Sequence, residues 1–156
     1  MDRLLIERLL EDLKNTDENV RARATDAFWQ NWFEQKGVLG LELLRRSQVC
    51  LEAGDIARAE KILTEIINSQ PDFAEAWNRR AVLYYVQEQF DKSRDDCEEV
   101  VRLNPIHFGA WHGLGLCHVA LGDYRTAISA FRRALEIQPY ASINQKLILE
   151  CTARLS

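Results

Sequence analysis

The sequence predicts an all-α protein: a right-handed solenoid of stacked helix hairpins, with an N-terminal helical extension and a C-terminal capping helix. Three observations carry this. The only prolines, Pro71, Pro105 and Pro139, stand 34 residues apart. Residue sizes between them recur with the same period, most plainly at Trp77 and Trp111. Apolar residues within each unit recur at helical spacing. A period of this length marks one helix–turn–helix unit, which can bury its apolar face only by stacking on its neighbours.

The 156 residues fit one domain. Apolar residues make up 47% and charged residues 28%, the balance of a globular chain rather than a disordered one. The net charge of −4 argues against nucleic acid, whose phosphates call for a basic face. No apolar run approaches the roughly 18 residues of a membrane span, so no membrane partner is expected. Charges interrupt the opening MDRLLIERLLEDLK, which is therefore not a secretory signal core. The expected location is intracellular and cytoplasmic, or the plastid stroma if a targeting segment is removed. Cys50, Cys97, Cys117 and Cys151 form no CxxC pair and read as reduced, buried thiols.

Residues 1–37 read as a helical hairpin or degenerate repeat. Leu5, Leu9, Leu10 and Leu13 share one face of its first helix. Thr16 is the expected N-cap of the second, which runs to about Lys36 and stops at Gly37. Phe28, Trp29, Trp32 and Phe33 form an aromatic cluster too large to leave in water. Either these rings pack on the first helix of the repeats, or Met1–Lys14 lies in the groove of the stack or swaps between chains.

Three repeats follow, at 40–73, 74–107 and 108–141, with a cap at 142–156. Their first (A) helices are expected at 40–53, 74–87 and 108–121. Their second (B) helices are expected at 56–69, 90–103 and 124–137, and the last helix at 141–155. Gly54 and Gly122 stand where an A helix stops, a position favouring left-handed backbone; Glu88 and Gln89 hold that turn in the middle repeat. The prolines end each B helix. The final helix carries Ile143, Leu147, Ile148 and Cys151 on one side and polar residues elsewhere, as a cap requires.

In the last repeat Trp111, Leu114, Gly115, Ala127, Phe131, Ala134 and Pro139 sit at the offsets of a known pattern, with His118 where Tyr is usual. One period earlier stand Trp77, Arg80, Ala81, Tyr84, Ser93, Cys97, Val100 and Pro105. One further back stand Leu43, Arg46, Ser47, Cys50, Ala59, Leu63, Ile66 and Pro71. Over about Gly40–Tyr140 the chain resembles the tetratricopeptide repeat family, and around Phe73–Arg80 it is similar to small bacterial or plastid members.

The resemblance implies a protein-binding function, with a peptide or helix of a partner held in a concave groove lined by the A helices. By register the groove residues are Leu44, Gln48, Asn78, Val82, Tyr85, His112, Leu116 and Val119. Asn, Gln and His both donate and accept, which suits a peptide backbone. Chaperone-binding members hold a C-terminal carboxylate with a Lys/Asn/Asn/Lys/Arg set. The matching positions here are Leu44, Gln48, Arg79, Gly109 and Gly113, and none agrees in type. Binding of such tails is therefore not expected.

A self-assembling module is the alternative, a homodimer paired through the N-terminal aromatic helices. Catalysis is the weaker one. His107, His112 and His118 are not spaced to share a helical face, and no phosphate loop or nucleophile motif is present. No cofactor, metal site or catalytic residue is assigned. The acidic run DKSRDDCEEV at 91–100 reads as a solvated outer helix face.

Overall fold

The computed structural model describes all residues, Met1–Ser156. Nine helices and no strand make up the chain: α1 (Arg3–Asp12), α2 (Glu18–Phe33), α3 (Gly37–Glu52), α4 (Ile56–Ser69), α5 (Ala74–Val86), α6 (Phe90–Leu103), α7 (Phe108–Ala120), α8 (Tyr124–Ile137) and α9 (Ser142–Leu155). From α3 onward each helix packs on the next, so the repeats stack in chain order. The α2 N-cap is Asp17 rather than Thr16. Its side chain accepts the Asn19 N–H, and Asn15 in turn accepts the Asp17 N–H. Helix α3 begins at Gly37, three residues earlier than the repeat pattern predicts.

The A-helix stops share one geometry. Gly54 and Gly122 have φ of +80°, and Glu88 reaches +58° in the equivalent turn. Left-handed backbone costs a non-glycine residue about 1 kcal/mol or more, so the middle turn carries strain the other two avoid.

The prolines act as more than terminators. The Trp77 indole N–H donates to the Pro71 carbonyl at 2.9 Å, and Trp111 makes the same bond to Pro105 at 2.8 Å. Gln145 occupies the next equivalent position and reaches the Pro139 carbonyl at 3.4 Å. Helix α9 is thus placed as the A helix of a following repeat. It buries Cys151 but leaves Leu149 71% exposed, so its outer face is less polar than the sequence pattern implies.

The hairpin α1–α2 meets the first helix of the repeats only in part, and α1 does not lie in the groove. Helix α2 runs along the edge of the stack formed by the B-to-A turns and touches all three repeats. Near its start the Arg21 guanidinium lies 4.1 Å from the Tyr140 ring centre, and Thr25 accepts a hydrogen bond from Gln138. Near its end Phe33 lies under Arg79, and Lys36 pairs with Asp72 at 2.7 Å. Phe28, Trp29 and Trp32 pack chiefly on His107 and Phe108, where the second repeat meets the third, while Phe33 packs against the cluster that holds Leu43 and Leu44 of α3. Helix α1 lies over this layer with Leu9 and Leu13 buried, outside the groove.

Candidate functional site

Two polar networks flank the A helices, and one of them lies on the concave face. The first is closed over by α2. Glu75, in the first turn of α5, is buried, and its Oε2 lies 3.0 Å from His107 Nε2. His107 Nδ1 accepts the Ala110 N–H as the N-cap of α7, which places the ring proton on Nε2, donating to Glu75. Glu75 Oε1 accepts a hydrogen bond from Asn78, and the Arg79 guanidinium stands 3.8 Å away. Arg79 also donates to Gln48 across to α3. Trp32 stacks on the His107 ring at 4.2 Å and 17°.

Gly109 is the fitting piece beneath this lid. A Cβ there would lie 2.8 Å from the Trp29 ring, so only glycine lets α2 approach α7 so closely.

Beyond this lid the groove is open. Val82 and Val86 on α5 are exposed, with Tyr85, Leu116 and Val119 half-buried around them. Between α5 and α7 a hollow of about 220 Å³ is lined by Asn78, Val82, Tyr85, Cys97, His112 and Leu116. Gly113 contributes no side chain, which leaves the Cys97 sulfur at its floor. A hydrogen bond with Cys117, together with burial, pushes the Cys97 thiol well above its ordinary pKa. Burial also raises the Tyr85 phenol. Cys97 and Tyr85 are therefore uncharged at neutral pH. His112 Nδ1 lies 2.7 Å from the Asn144 side-chain oxygen, which fixes the turn of the ring.

The predicted groove residues are only partly brought together. Val82, Tyr85, His112 and Leu116 surround one hollow, and Val119 lies at a second of about 370 Å³ with Tyr124, Leu147 and Arg154. Leu44 is a correction: it is buried in the core with Leu63, Ile66 and Phe73 and offers no surface. Asn78 is almost covered and is committed to Glu75. Gln48 is committed to Arg79 and Glu52.

The second network lies on the opposite side of the A helices, and sequence reading missed it. Arg80 stands where the repeat pattern calls for Leu. It makes a two-pronged ion pair with Asp96 at 2.7 and 2.9 Å and donates to Thr64. Asp96 belongs to the run read as solvated, yet it is buried; burial raises its carboxyl pKa even against the pull of Arg80. The legible signal was an Arg at a core position with an acid on the facing B helix. Arg46 has Ile62 at the matching place and stays exposed.

The matched bonds of Trp77 and Trp111, the strictly repeated turns and a family match decide the class. Residues 72–139 match the tetratricopeptide repeat family. This segment is built of tetratricopeptide repeats. A TPR repeat-containing protein of Rhizobium etli is 40% identical over 77 residues, 49% of this chain and 38% of that relative. The chain thus matches well under half the length of that relative. Among solved structures, the first tetratricopeptide domain of Spaghetti (RPAP3), bound to an HSP90 peptide SRMEEVD, superposes with a TM-score of 0.70 at 22% identity. The match covers 74% of this chain and 91% of that one. The Sgt2 tetratricopeptide domain of Aspergillus fumigatus superposes with a TM-score of 0.67 at 19% identity, over 73% and 77% of the two chains. At these identities the likeness is one of fold. No helix is long and apolar enough to cross a membrane.

Proposed function

We propose that this tetratricopeptide stack is a protein-interaction module that holds a segment of a partner protein in the open half of its concave groove. The observation that carries the reading is the mostly apolar hollow between α5 and α7, walled by Val82, Tyr85 and Leu116, with Asn78 and His112 at its rim. A hollow of about 220 Å³ admits one large apolar side chain, and mostly apolar walls reject a charged one through its desolvation cost. The peptide seen in the Spaghetti (RPAP3) domain supports the general mode. The residues here differ in kind: Gly109 and Gly113 supply no side chain to grip a carboxylate. The partner segment is accordingly apolar and internal rather than an acidic chain end.

Selection of a random peptide library against the folded chain tests this. Selected peptides are expected to carry a large apolar anchor and to lose at least about tenfold in affinity on Val82→Glu, which places a charge at the mouth of the hollow. Val82 is 52% exposed, so the helical circular dichroism is expected to persist. Peptides that bind Val82→Glu as well as wild type would show that the groove is not the site.

A further inference from the structure

The first repeat presents a face that no part of the chain covers. In the later repeats, Ala76 with Leu83 and Ala110 with Cys117 are fully buried against the preceding B helix. The equivalent residues of α3 are Glu42 and Val49, and no B helix precedes them. Because α2 runs along the turn edge instead, this face stays open. Val49 is 64% exposed and Val38 87%.

Val38, Glu42, Arg45 and Val49 recur at steps of four, three and four along α3, which puts them in one stripe. The stripe has an internal symmetry. A two-fold axis between Leu43 and Leu44 sets Val38 against Val49 and Glu42 against Arg45 of an antiparallel second helix. Parallel pairing would set Glu42 against Glu42 and Arg45 against Arg45. Arg45 has no ion-pair partner within the chain, and Glu42 meets only the exposed Arg46.

We propose that a second copy of this chain docks here, forming an antiparallel α3–α3 homodimer. Charge complementarity selects both the occupant and its direction, since a self-complementary stripe is what an isologous two-fold interface requires. The dimer is independent of the groove. It differs from the alternative of pairing through the aromatic helices, since Phe28 and Trp32 are buried inside the protomer. A seam of one helix per chain buries less than the ~1,600 Å² of a standard interface, so the dimer is concentration-dependent and weakened by salt.

Sedimentation equilibrium over a wide concentration range tests the proposal. Wild type is expected to double in mass at high concentration. E42R gives a seam of four positive charges and R45E one of four negative charges. Each alone is expected to weaken association by about tenfold or more, because like charges then face each other. Mixing the two variants is expected to restore a dimer containing one of each, and E42R/R45E in one chain to restore the homodimer. All four positions lie on the surface, so unchanged circular dichroism checks folding. A wild type that stays monomeric overturns the proposal. So does a dimer indifferent to these charges, a failure of the mixed variants to pair, or open-ended growth in mass, which would mean head-to-tail stacking of α9 on α3.

Discussion

The two halves of the concave face use the same helices in the same register, yet one is closed and the other open. At the N-terminal ends of α5 and α7 a carboxylate, an imidazole and an amide are buried under Trp29 and Trp32. One to two turns further along, Val82 and Val86 face solvent. The residue types are the reverse of what burial alone would choose, since the polar set is inside and the valines are outside. Covering, not composition, makes the difference. Glu75 is tolerated beneath α2 because each of its oxygens has a donor, and burying an unpaired carboxylate would cost several kcal/mol. The valines are left out because α2 ends at Phe33 and does not reach them.

The sharpest way to break this contrast is to remove the lid. Trp32→Ala takes away a largely buried indole that stacks on both His107 and Phe28, and a cost of about 3–5 kcal/mol is expected. Denaturant unfolding measures it. Hydrogen exchange is expected to show α1 and α2 losing protection before α7 and α8 do. Equal loss along the whole chain would mean that the lid and the repeats are one cooperative unit.

A smaller effect is expected from Glu75→Gln, which keeps shape and replaces one acceptor by a donor. Whichever way the amide turns, its NH₂ meets His107 Nε2–H or the Asn78 amide, both buried donors. One unsatisfied pair costs about 1–3 kcal/mol. A change below about 0.5 kcal/mol would mean that water already reaches the carboxylate, and the closed half would then be closed in name only.

How much of this was legible follows from what each residue answers to. The predicted spans for the second and third repeats differ from α5–α8 by at most a residue at each end. There every position answers to a neighbour one period away, so the period itself carries the fold. Helix α2 answers to no period. The rings at 28, 29, 32 and 33 announce an apolar face without naming what it meets, because a helix face is silent about its cover. The contacts that place it are pairs such as Gln138 with Thr25, 113 residues apart, and Phe33 with Arg79. Leu44 failed as a groove residue for the same reason: the register aims it inward, but the core closes over it. Arg80 and Asp96 were half visible. Arg80 looked like a departure from the pattern and Asp96 like part of a solvated run, and only their facing placement on α5 and α6 makes them one feature.

The smallest expected effect tests the fit of the lid rather than its presence. Gly109→Ala adds one methyl where an ideal Cβ would stand 2.8 Å from Trp29 Cη2 and 3.2 Å from His107 Cε1. In an isolated helix the change would help, by up to about 1 kcal/mol, because alanine loses less backbone entropy than glycine. Here the indole is wedged between Phe33, Trp32 and Phe108, so it cannot swing clear without disturbing three other rings. Overpacking of this kind costs about 1–3 kcal/mol, which should outweigh the propensity gain and leave a net loss of about 1 kcal/mol. In the double variant with Trp29→Ala the clash is gone, and the same glycine substitution is expected to become neutral or stabilising. That change of sign, read from a double-mutant cycle, would tie Gly109 to the lid. Additive losses would tie it to the helix alone.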